Sequence, residues 1–138
     1  MANEFARNLQ DASLNPAAFA LPSAASSSTT SAAVDLGADT FKTGHVELEL
    51  AVPALTDTMV PNTRTATYII ETSTTSNFAA IDQTLYTETF TGAGSGVAAK
   101  TKRVRLPSNC ARYVRSKVTL GASTTDSSAV SATFTLRA

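Results

Sequence analysis

The sequence predicts an all-β fold, a β-sandwich or jelly roll of seven to eight antiparallel strands with an extended N-terminal arm. Three observations lead there. From Ser31 onward large apolar residues recur with a period of two, the spacing that puts one face of a strand inside and the other in water. Clusters of Gly, Pro, Asn and Ser cut that pattern into short segments. Ser and Thr fill 37 of the 138 positions, and β-branched Thr suits a pleated, half-wet surface better than a helix.

Residues 1–30 stand apart from the rest. Residues 3–10 have Phe5 and Leu9 four apart on one side of a possible helix. At roughly two turns, such a helix is marginal in water by itself. Pro16, Pro22 and the Ser-Ala-Thr run 23–30 follow. This stretch buries little against the entropy cost of ordering it. It reads either as a flexible tail or as an arm that orders on a neighbouring subunit, with Phe5, Leu9, Phe19 and Leu21 as its contacts. Residues 31–138 form the single sandwich domain.

Within that domain, Val34 and Leu36 flank Asp35 in a first short strand ending at Gly37. Val46, Leu48, Leu50 and Val52 alternate with Glu47, Glu49 and Ala51 until Pro53 stops the strand. In 65–72, Ala66, Tyr68 and Ile70 share a face while Ile69 lies opposite, so this strand is covered in part on both sides. A polar loop, 73–77, precedes Phe78. Strand 83–91 opposes Leu85 to Tyr86, Glu88 and Phe90, and the Gly-rich 92–96 reads as a mobile turn. Strand 97–106 ends at Pro107-Ser108-Asn109. Strand 111–120 separates Val114, Val118 and Leu120 from Tyr113, Arg115, Lys117 and Thr119, and Val130, Ala132, Phe134 and Leu136 close the chain. The expected core is Leu48, Leu50, Tyr68, Ile70, Val104, Leu106, Val118, Phe134 and Leu136. It is thin: alanine supplies 24 of the apolar residues, beside six Phe, three Tyr and no Trp.

Several function classes lack their residues. Eleven basic and eleven acidic side chains cancel, leaving no global field for nucleic acid or anionic membrane. A lone Cys110 forms no intrachain disulfide and favours assembly in a reducing cytoplasm. The start Met1-Ala2-Asn3-Glu4 is not cationic as in a signal peptide, and no apolar run approaches membrane-spanning length. One His45 and one Cys110, without Cys-x-x-Cys or His-x-x-x-His spacing, predict no metal site, no catalytic residue and no cofactor. Glu47 and Glu49 share a strand face about 7 Å apart. Some glycosidases use such a span, but alternating acids are ordinary on an exposed strand. The glycines of 92–96 lack the Gly-Lys-Ser/Thr ending of a phosphate loop.

The charged residues are unevenly placed. Lys100, Lys102, Arg103, Arg105, Arg112, Arg115 and Lys117 fall within eighteen residues that contain no acid. If 97–106 and 111–120 pair as a hairpin across 107–110, these cations gather and repel unless something neutralises them. Glu47, Glu49, Glu71 or Glu88 of the same chain, an acidic surface on a partner protein, or nucleic acid all offer countercharge. Nucleic acid is the weakest of the three, since Tyr113 alone interleaves the cations.

The order of segments carries a resemblance. "AAVDLGA" (32–38), "VELELAVPAL" (46–55), "TATYIIETSTTSNF" (65–78) and "TETFTGAGSGVAAKTKRVRLPSNCARYVRSKVTL" (87–120) precede a closing small-residue strand. Through the DLG segment, the Ser-x-x-x-Asn-Phe loop and "RLPSN…RYVR", residues 31–138 resemble the small jelly-roll capsid cement, or decoration, proteins of tailed bacteriophages. The resemblance implies a non-enzymatic virion protein, made in the host cytoplasm and bound to the capsid exterior where major capsid subunits meet. It further implies a homo-oligomer, dimer or trimer, with neither nucleic acid nor membrane as partner. A receptor- or carbohydrate-binding sandwich of a tail fibre or cell surface is the alternative. Sugar sites favour aromatic platforms, for which the chain offers only Tyr68, Tyr86 and Tyr113.

Overall fold

A computed structural model describes residues 17–37 and 46–137. Phe5, Leu9 and His45 lie outside the described residues. The described residues form nine strands: β1 (Phe19–Ala20), β2 (Ser28–Thr30), β3 (Val34–Asp35), β4 (Glu47–Val52), β5 (Thr65–Ser73), β6 (Gln83–Thr91), β7 (Lys100–Arg105), β8 (Tyr113–Leu120) and β9 (Ser131–Arg137). All pairings are antiparallel. One sheet runs β1-β9-β4-β7; the other runs β2-β8-β5-β6, with β3 following β2 along the same side of β8.

This is the strand order of a jelly roll whose second strand is broken into β2 and β3. First pairs with last, second with next-to-last, and so on inward until β5 and β6 meet as a hairpin. The break falls at Ser31, whose hydroxyl accepts from the Ser116 N–H while its own N–H donates to the Ser116 carbonyl.

Period two decides which side chains are inside. In β4, Leu48, Leu50 and Val52 are buried while Glu47, Glu49 and Ala51 are half-buried on the outer face; β8 repeats this with Val114, Ser116, Val118 and Leu120 inside. The expected core residues are buried, except that Val104 is half-buried and packs against the core from edge strand β7. Tyr68 and Phe90 meet edge to face, with centroids 5.4 Å apart.

The structure corrects the expected arm over residues 17–30; residues 1–16 lie outside the described residues. Residues 17–30 belong to the sandwich: β1 pairs with β9, β2 with β8, and Phe19 (8% exposed) and Leu21 (1%) are buried in the chain's own core. Composition hid this, because the segment pairs through its backbone and uses few apolar anchors. The Thr29 hydroxyl donates to the Ala20 carbonyl, tying the strand of one sheet to the strand of the other.

The glycine cluster is also more constrained than a mobile turn. A Cβ on Gly92 would lie 2.2 Å from the Val60 carbonyl oxygen. Gly96 takes φ +79°, and a Cβ there would meet the Leu55 carbonyl oxygen at 2.3 Å. These glycines let the β6–β7 connection press against the 55–64 loop, where the Val97 and Leu55 backbones exchange hydrogen bonds of 2.7 and 2.9 Å.

Candidate functional site

The seven clustered cations do not share a hairpin. β7 lies in the first sheet, paired with β4, and β8 lies in the second between β5 and the β2–β3 segment. The 106–112 connection crosses between sheets, with Leu106 N–H donating to the Val46 carbonyl and Leu36 N–H to the Arg112 carbonyl. Apolar content explains the separation. β8 has three large apolar residues inside and can be covered from both sides, whereas β7 has Val104 alone and settles at an edge.

The cations therefore occupy three places. Arg103 and Arg105 lie on the outer face of the first sheet, in register with Glu49 and Glu47. Glu49 accepts from Arg103 Nε at 2.8 Å and from Arg137 Nη2 at 2.9 Å, so one carboxylate bridges the strands on both sides of β4. Burial works to raise its pKa, but the two guanidinium hydrogen bonds outweigh that and hold it below the usual carboxylate value. A carboxylate pinned in this way is poorly suited to giving or taking a proton. Arg105 faces Glu47 in register without an ion pair among the described residues.

Arg115 and Lys117 lie on the outer face of the second sheet, and Arg112, just before β8, reaches Asp35 of β3. Arg112 grips Asp35 with a fork, Nε to Oδ1 at 2.7 Å and Nη2 to Oδ2 at 2.9 Å. That grip, with the Gly37 N–H on Oδ1, lowers the Asp35 pKa to about 2. Arg115 binds Glu71, whose side chain is 6% exposed, and its guanidinium lies 4.1 Å from the Phe78 ring centroid. Phe78 takes φ 52° and folds the 74–82 loop over the sheet, so cation and ring seal the outer side of β5. Lys117 makes no ion pair among the described residues.

Lys100 and Lys102 lie at the third place, the side of the sandwich where edges β6 and β7 face each other. Lys100 pairs with Glu88 and stands over Phe90; Lys102 stands 5.7 Å from the Tyr86 centroid. Beneath them a narrow cleft is lined by Leu50, Val52 and Tyr68. The Tyr68 hydroxyl is buried without a hydrogen-bond partner among the described residues, and burial raises its pKa.

Of the countercharges open from the sequence, Glu49, Glu71 and Glu88 of the same chain do pair with the cluster; Glu47 does not, and Asp35 joins them. Two members of these networks carry no mark of their pairing in the sequence. Arg137 lies far from the cluster in sequence, and Asp35 gave only its place in the DLG segment. Phe19 and Leu21, expected as arm contacts, face the core. Among the described residues no group of three His, Cys, Asp or Glu is placed to hold a metal ion, and no helix is long and apolar enough to cross a membrane.

A second polar feature crosses the other outer face. Ser28, Thr119, Thr67 and Thr89 stand in register over four adjacent strands, linked by hydroxyl contacts of 2.8 Å (Ser28 to Thr119) and 3.1 Å (Thr67 to Thr89). Compared with known proteins, the chain matches no family model, no curated protein and no solved structure.

Proposed function

We propose that this β-sandwich is a structural virion protein, which binds the exterior of an icosahedral phage capsid and cements neighbouring major capsid subunits. The observation that carries the reading is the outer face of the first sheet. There Arg103, Arg105 and Arg137 stand around Glu47 and Glu49 over three adjacent strands, a row of charged side chains on one sheet face. Arg103 donates its Nε–H to Glu49 while its side chain stays 59% exposed, so the guanidinium is held at one point and still open to a partner. Pre-positioned arginines lose little freedom on binding and are favoured at protein–protein contacts. A sheet face that presents charged side chains over three strands suits another protein's surface; small-molecule sites are mostly apolar and concave.

The order of strands supports the same reading, since the segments that resemble cement proteins fold here as a jelly roll. The carbohydrate-binding alternative gains less. Tyr68 is buried, Lys102 stands over Tyr86, and Arg112 lies 5.2 Å from the Tyr113 centroid, so none offers a bare aromatic platform. Charge reversal at Arg103 and Arg105 is the test. Occupancy of purified capsids by the double variant should fall, and wild-type occupancy should weaken with added salt. Occupancy indifferent to both changes overturns the assignment of this face.

A further inference from the structure

Among the described strands the sandwich has two long edges, and they are unlike. β7 ends the first sheet with Lys100, Lys102, Arg103 and Arg105 among its six residues, the charge that natural edges use to repel an added strand. β6 ends the second sheet with nine residues, of which Glu88 alone is charged; among the described residues it pairs only with β5. On the far side of the sandwich the edges are short pieces, β1, β2 and β3. β6 is thus the one long edge among the described strands that lacks a guard of like charges.

From this we infer that β6 pairs with β6 of a second copy, antiparallel, about a two-fold axis at Thr89. The register follows from the bulge and from charge. Between Ile70 and Glu71 the β5–β6 register shifts and skips Leu85, so the regular part of β6 runs from Tyr86 to its end at Thr91. A two-fold at Glu88 would set carboxylate against carboxylate, which is destabilising. At Thr89 the axis sets Thr89 against its copy and Thr87 against Thr91, hydroxyl facing hydroxyl on the outer face. On the inner face it sets Glu88 against Phe90 of the second copy, the ring that carries Lys100 within 5.6 Å. Each Glu88 then meets a cation from both copies, a reciprocal match that an unrelated strand would not supply. The pairing joins the two second sheets into one continuous sheet.

The inference rests on the sandwich alone and is tested on the isolated full-length protein, apart from capsid binding. Sedimentation at on the order of 100 µM should give twice the chain mass. Thr89→Lys, an exposed outer-face change that opposes two lysines at the axis, should give the monomer mass with an unchanged circular dichroism spectrum. Thr89→Cys should form a disulfide-linked dimer on mild oxidation, because directly opposed strand residues fall within disulfide reach. Thr67→Cys, one strand further in, should not. A wild-type monomer at that concentration overturns the proposal. So does a dimer that survives Thr89→Lys, or equal crosslinking at positions 67 and 89.

Discussion

Replacing Tyr68 with Phe should stabilise the protein. Tyr68 is among the largest fully buried side chains, 1% exposed, and its hydroxyl finds no hydrogen-bond partner among the described residues. A buried hydroxyl left unsatisfied costs about 1–3 kcal/mol relative to its hydrated state in the unfolded chain. Phe removes only that oxygen and keeps the ring edge-to-face with Phe90 at 88°, so little packing is lost. With the small void left by the oxygen set against the gain, the net is about 1 kcal/mol, or a rise of about 3–6 °C in Tm. Thermal melts of the wild type and Tyr68→Phe at one pH and concentration read this directly. A Tm lowered by Tyr68→Phe would refute the reasoning, since it would mean that the hydroxyl is satisfied in solution.

Other predictions follow from the same geometry. Deleting residues 1–30 removes β1 and β2 with Phe19 and Leu21, so the shortened chain should lose at least about 3–5 kcal/mol in urea unfolding; a melt matching the full chain contradicts their place in the core. Arg115→Ala leaves the nearly buried Glu71 unpaired and uncovers Phe78, with an expected loss of about 3 kcal/mol, whereas a surface ion pair would show less than about 1 kcal/mol. The Asp35 pKa is lowered from 3.8 to about 2 by Arg112, so its contribution to stability is present above about pH 4 and is lost as pH falls toward 2. The difference in urea midpoint between wild type and Asp35→Asn should shrink over that window; a constant difference refutes the assignment.

Much of the sandwich was legible because its central strands obey one rule. β4, β8 and β9 alternate without interruption, and burial against a facing sheet enforces the same phase in space. β1 and β2 were not legible, because they are held by backbone pairing to β9 and β8, which leaves almost no mark on side-chain type. The hairpin expected between 97–106 and 111–120 failed for a related reason. Closeness in sequence favours pairing, but a jelly roll sends successive strands to opposite sheets, and the chain's long-range pairings decide which. The cations cluster in sequence, within residues 100–117. Their division among two outer faces and one edge depends on that topology, as does the joining of Arg103 and Arg137 through Glu49.

The proposed attachment to a capsid is tested most directly by the composition of virus particles. Virus particles purified from a culture that produces this chain should contain it at a fixed ratio to the major capsid protein, by quantitative mass spectrometry across independent preparations. It should also be released by high salt before the shell itself comes apart. Particles that lack the chain, or carry it in amounts that vary with preparation, would contradict the account.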